Sequence, residues 1–98
     1  MIVSGGENVF PREVEDTICA LGGVAEVAAI GIDDASFGQR LRAFVVRAEG
    51  STVSERDVKE HVKANLARFK VPCDVVFLDE LPRNATGKVL KRELAERS

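Results

Sequence analysis

The chain contains no tryptophan and no tyrosine, and only five phenylalanines among its 98 residues. Single-stranded RNA is usually gripped by aromatic rings exposed for base stacking. Phe44 and Phe77 lie inside apolar runs that read as core, so an independent αβ module binding RNA or a protein partner is a poor fit. A surplus of positive charge is missing as well. Fourteen Lys and Arg against sixteen Asp and Glu give a net charge of -2, without the broad basic field that a general nucleic-acid binder needs. Cysteine is scarce: Cys19 and Cys73 stand far apart with no histidine near either, so no metal-ligand spacing exists. Free, buried thiols in a reducing compartment are expected. No apolar run approaches the ~20 residues of a membrane-spanning helix, and Met1 to Gly6 lack the charged-then-apolar order of an export leader. A cytoplasmic protein with no transmembrane segment and no nucleic-acid partner is expected.

Hydrophobic residues at 45% and charged residues at 31% are those of an ordinary globular chain. Glycine and proline are scattered as punctuation, with no linker, repeat or low-complexity tract, so one domain spans residues 1–98. Charge is uneven along it. Residues 1–50 hold four basic and eight acidic side chains and residues 51–98 hold ten and eight, which directs any anion-binding surface to the second half.

Ile2-Val3 and Val9-Phe10 flank Ser4-Gly5-Gly6-Glu7-Asn8, a small hairpin or tight loop permitted by adjacent glycines. Pro11 suits a first helical turn, Val14, Ile18 and Leu21 recur at helical spacing, and Gly22-Gly23 is a stop signal. Val24 to Ile32 and Leu41 to Val46 read as strands joined by a polar turn. Ser54 starts a second helix with the stripe Val58, Val62 and Leu66. Val75 to Leu78 is a further strand, Pro82 to Gly87 a loop, and Leu90 and Leu94 mark a short amphipathic helix. The fold class is α+β: a central, mainly antiparallel three-stranded sheet, an N-terminal hairpin and about three helices.

Two segments carry more than packing information: Ser4-Gly5-Gly6-Glu7-Asn8-Val9-Phe10-Pro11-Arg12-Glu13-Val14-Glu15 and Leu81-Pro82-Arg83-Asn84-Ala85-Thr86-Gly87-Lys88-Val89-Leu90-Lys91-Arg92. With Gly31-Ile32-Asp33-Asp34, Ala43-Phe44-Val45-Val46 and Phe69-Lys70-Val71-Pro72 between them, the chain resembles the C-terminal domain of acyl-CoA synthetases in the adenylate-forming superfamily. Asp33 stands where that family usually has proline, and Phe10 where tyrosine is common. The resemblance implies the mobile lid of an enzyme that uses ATP and Mg2+ to join a carboxylic acid, fatty or related, to AMP, then transfers the acyl group to coenzyme A. It also implies a partner, the N-terminal ATP- and acyl-binding domain of the same enzyme, which together with the hinge lies outside these residues. The 98 residues alone are then expected to be inactive. A related implication is the lid of an adenylation domain that loads a carrier protein, although Ser4-Gly5-Gly6-Glu7-Asn8 is closer in form to the acid:CoA ligases.

Chemistry agrees with the roles the resemblance implies. A carboxylate approaching a negatively charged α-phosphate needs a cation between them, and Lys88 carries one on a loop whose Gly87 leaves the backbone unobstructed. Thr86-Gly87-Lys88 is not a P-loop, since Pro82 and Val89 occupy positions that motif reserves for glycine and for Ser or Thr. A thiol needs a different surface, and the resemblance places Ser4, Gly5, Gly6 and Glu7 along a pantetheine tunnel, where a Cβ would obstruct a narrow channel. His61 has no Ser or Cys partner nearby and reads as a partly exposed structural histidine. Glu13 and Glu15, two residues apart, point to different helix faces and read as first-turn acids rather than a catalytic pair. Lys59, Lys63, Arg68 and Lys70 read as a solvated face that could reach the nucleotide phosphates of coenzyme A.

Overall fold

The computed structural model describes residues 2–4, 7–35, 38–67 and 70–96, with only the backbone described for Ser4, Glu7 and Asp34. Strands β1 (Ile2–Ser4) and β2 (Glu7–Val9) form an antiparallel hairpin paired from Ile2–Val9 to Ser4–Glu7. Helix α1 (Pro11–Cys19) starts on Pro11 at its first position, where the missing N–H would be unpaired anyway. Val14 and Ile18 are fully buried, while the helix ends at Cys19, before the glycine pair. Gly23 serves another purpose. Its φ of +96° turns the chain into the next strand, where an added Cβ would meet Ser51 Oγ at 2.5 Å and Val53 Cγ2 at 2.7 Å.

Strand β3 (Val24–Asp34) and strand β4 (Gly38–Arg47) make the longest antiparallel ladder, running from Val24–Arg47 to Asp34–Gly38 with an irregularity between Val24 and Glu26. Helix α2 (Glu55–Asn65) then carries the chain back, and strand β5 (Asp74–Leu78) pairs with β4 in parallel from Arg42–Asp74 to Val46–Leu78. The sequence suggests a mainly antiparallel sheet, which holds for every strand pairing except this one. A crossover helix between two neighbouring strands returns the chain to its starting end, which makes the pair parallel. The hairpin joins the same side of β4 through Ser4–Gly38, so β4 is central and β3 is an edge. Helix α3 (Lys91–Glu96) completes the order.

Period-two alternation gives the sheet two apolar faces. Ala29, Leu41, Ala43 and Val45 pack under α1 and α2 with Val14, Ile18, Val58 and Val62. Ala28, Ile30, Phe44 and Val46 face the opposite way and are covered by Leu81, Val89 and Leu94. Complete burial of a side chain such as Leu94 contributes about 1.5–3 kcal/mol. The segment from Leu81 to α3 is therefore the cover of the sheet's second face, and it is also the segment that carries Lys88.

The free edge of β3 is guarded. Glu15 Oε2 accepts the Ala29 N–H at 2.8 Å and pairs with Lys91 Nζ at 2.9 Å, so Glu15 is a bracket between α1, β3 and α3 rather than a first-turn acid. His61 matches its sequence reading: its Nε2 donates to the Thr17 carbonyl at 2.8 Å, joining α1 to α2. The cysteines depart from theirs, because both are free but exposed. Each follows apolar neighbours in sequence yet sits where an element ends or begins, so the apolar neighbourhood does not enclose it. Partial desolvation, then Asp16 and Glu15, push the Cys19 thiol above its ordinary range, so it stays protonated near neutrality. Among the described residues no helix is long and apolar enough to cross a membrane.

Candidate functional site at the lysine hairpin

Residues 81–90 form a closed hairpin with a rigid frame. Buried Leu81 anchors its first arm, the Leu90 N–H donates to the Pro82 carbonyl at 2.8 Å, and Arg83 pairs with Val89 as an antiparallel bridge. Inside that bridge, the Asn84 N–H donates to the Lys88 carbonyl and the Gly87 N–H to the Asn84 carbonyl, each at 3.0 Å. The Asn84 side chain organises the tip. Its Oδ1 accepts from the Thr86 N–H at 3.0 Å, the Thr86 hydroxyl at 2.7 Å and the Lys88 N–H at 3.0 Å. A short amide side chain bonding the backbone two residues on is the usual chemistry of such turns. Gly87 closes the tip with φ of +85°.

This frame fixes the backbone on both sides of Lys88 and leaves its side chain in solvent. Among the described residues no carboxylate lies within ion-pair distance of the Lys88 ammonium. An exposed, unpaired cation on an ordered turn is poised for an anionic ligand supplied from outside the domain. Sequence reading singles out Lys88 and Gly87 but overlooks Asn84 and Arg83. The Asn-x-Thr spacing, which favours a side-chain-closed turn, is the local signal that could have found Asn84.

The glycine loop lies elsewhere. Ser4 and Glu7 pair with each other across the hairpin and Ser4 pairs with Gly38, while Gly5 and Gly6 fall outside the described residues. The Ser4–Gly38 pairing meets β3 at Asp34, whereas the lysine hairpin is tied to β3 at Glu26 through Arg83. Eight residues of strand at ~3.4 Å each separate those two positions by roughly 27 Å. The Ser4–Glu7 end of the N-terminal hairpin and the lysine hairpin thus lie at opposite ends of β3.

The candidate phosphate-binding cations divide. Lys59 Nζ donates to the Cys73 carbonyl and pairs with Glu55, both at 2.8 Å, and Lys70 Nζ pairs with Glu13 at 2.7 Å. Both already hold elements together. Lys63 is exposed at the last turn of α2, and Arg68 falls outside the described residues. Among the described residues no three His, Cys, Asp or Glu side chains gather in a way that could hold a metal ion.

Comparison with known proteins identifies the domain. Residues 13–88 match the model of the AMP-binding enzyme C-terminal domain. A methyl-dioxo-octahydro-indenyl-propanoyl:CoA ligase of Rhodococcus jostii is 51% identical over 98% of this chain, and the long-chain-fatty-acid–CoA ligase FadD13 of Mycobacterium tuberculosis is 48% identical over the same share. The crystal structure of ATP-bound MatB from Rhodopseudomonas palustris superposes with a TM-score of 0.94 at 45% identity over 97% of this chain. The chain spans 19% of the length of each of these relatives. The match runs from within the helix that follows the glycine loop to Lys88 in the lysine hairpin, and on it the chain belongs to the AMP-binding enzyme C-terminal domain family.

Proposed function

We propose that this chain is the lid of an AMP-forming acid:CoA ligase, with Lys88 as the catalytic cation of the first half-reaction. The observation that carries the reading is the exposed Lys88 ammonium, without a carboxylate partner among the described residues, on a hairpin whose backbone is fixed on both sides. In that step a carboxylate oxygen of a fatty or related acid attacks the α-phosphorus of ATP, the bond to the bridging oxygen breaks, and pyrophosphate leaves. Lys88 reduces the repulsion between carboxylate and α-phosphate and stabilises the charge gathering between them. The acyl pocket and most of the ATP site belong to an N-terminal partner domain. Magnesium, where it accompanies ATP, draws no ligand set from the described residues of this chain.

In the second half-reaction the coenzyme A thiol attacks the acyl carbon and AMP leaves. Lys88 has no part in it. Ser4, Gly5, Gly6 and Glu7 would line the approach of the pantetheine arm, with small residues leaving room for its passage. The distance between the two ends of β3 supports a lid that turns between steps, since one orientation cannot present both ends to the same cleft.

The test uses the complete enzyme that carries this domain. Lys88→Ala should slow adenylate formation by about 100- to 1,000-fold, the loss typical of one preorganised stabilising group. Consumption of a supplied acyl-adenylate with coenzyme A should change little. Lys88→Arg should rescue poorly, because a planar fork does not replace a compact ammonium. Near-normal pyrophosphate release from Lys88→Ala, or equal loss in both half-reactions, would remove the assignment.

A further inference from the structure

The Arg83 guanidinium is forked between two parts of the domain. Nη1 donates to the Gly87 carbonyl at 2.8 Å, and Nη2 is paired with Glu26 Oε1 on β3. The carbonyl it holds belongs to the residue immediately before Lys88. Glu26 belongs to the longest ladder in the molecule, paired with Val46. A single planar side chain therefore connects the peptide that aims Lys88 to strand β3, close to the irregularity at the start of its ladder. The other end of the hairpin is secured differently: Lys91, three residues beyond Lys88, reaches Glu15 at 2.9 Å. Leu81 and Val89 pack the two arms of the hairpin against the sheet, so without the Arg83 link only the tip beyond them, residues 84–88, would rely on bonds internal to the turn.

We propose that Glu26 and Arg83 are positioning residues for Lys88, acting as a tether that sets the angle at which the lysine hairpin leaves the sheet. The proposal rests on the reading of Lys88 as the adenylation cation. Neither residue touches substrate. Arg83 holds the Gly87 carbonyl, and Glu26 holds Arg83 to the strand. Loss of either leaves the hairpin closed through Asn84 but free to tilt, so the ammonium is offered over a wider range of angles. Only the step that needs the ammonium in place should suffer.

Two measurements separate the tether from the function it serves. In the 98-residue chain, Arg83→Met and Glu26→Gln should each lower the NMR order parameters of the Gly87 and Lys88 amides from about 0.85 toward 0.6 as the tip tilts, while amide exchange there, guarded by Asn84, changes less than about twofold. Exchange at Val45 in the core should not move. In the complete enzyme both variants should lower kcat for adenylation about tenfold, less than the ~100-fold that an ångström of misplacement can cost. KM for ATP should stay within about twofold, and the rate from a supplied acyl-adenylate should be unchanged. The double variant should be no slower than either single one, since both break the same link. Arg83→Lys should recover only part of the rate, because an ammonium can pair with Glu26 or hold the carbonyl but cannot fork between them. Arg56→Met, which removes a surface ion pair on α2, serves as the control and should behave as the parent. Equal loss in both half-reactions, additive effects, or normal adenylation by Arg83→Met in an enzyme that Lys88→Ala does cripple would overturn the tether. Normal adenylation by Lys88→Ala would instead overturn the reading of Lys88, and the tether's part in catalysis with it.

Discussion

At the scale of single residues, Gly87 shows how a backbone angle can matter more than a contact. Its φ of +85° lies in the left-handed region, yet an added Cβ would meet nothing within 4 Å. A substitution there is opposed by conformation alone, at about 1–2 kcal/mol for an ordinary residue. Gly87→Val should reduce the adenylation rate by roughly 5- to 30-fold, the population shift such an energy implies, and should lower the melting temperature of the 98-residue chain by several degrees. Gly87→Asn should be milder, because asparagine visits the left-handed region more readily. Half-reaction rates for the two variants, read beside their melting temperatures, check this. The turn at Gly87 was legible in the sequence because turn chemistry is local, whereas Lys88 was singled out only through the family resemblance. The partners of Arg83 and Glu15 were not, since they lie on β3 and α3, and nothing in a linear sequence says which distant strand a surface charge will face.

At the scale of elements, α2 is the helix whose start was best announced. Ser54 accepts the Asp57 N–H at 3.2 Å while the Asp57 carboxylate accepts the Ser54 N–H at 3.0 Å, a complete capping box. Those bonds to Ser54 hold the Asp57 carboxyl below its ordinary value near 3.8. A depressed folded value means that the carboxylate's stabilisation is fully present above pH 4 and drains away as pH falls through the lower, folded value. Melting temperatures should therefore favour the parent over Asp57→Asn at pH 6, and the gap should close as pH falls below about 4. Ser54→Ala should cost about 1 kcal/mol, as removal of such a cap usually does. A gap that persisted unchanged into acid would show that the box does not depend on the ionised form. Helix starts are legible because caps are short-range. The direction of β5 was not, because its run of Val, Phe and Leu has the same appearance whether the strand runs up or down beside β4.

At the scale of the whole molecule, the domain is a sheet with a different loop at each end, and the proposed two-step function assigns one step to each. Gly5→Leu in the complete enzyme should obstruct the thioester step while sparing adenylate formation, the mirror image of Lys88→Ala. Assays of the separate half-reactions decide it: an unaffected thioester step removes Gly5 from the thiol's route, and equal loss in both steps points to general misfolding. The α+β class and the two motif loops could be read from the chain itself, whereas their placement at opposite ends follows from pairings formed only on folding. The packing of the second sheet face has a consequence during synthesis. Ala28, Ile30, Phe44 and Val46 receive their cover from Leu81, Val89 and Leu94, which follow every strand in the chain. On a translating ribosome the sheet can pair and α1 and α2 can dock while this apolar face still meets water, exposed to chaperones and to other nascent chains. The segment bearing Lys88 thus arrives after every strand, and the domain cannot finish burying its core before it has also assembled its proposed catalytic hairpin.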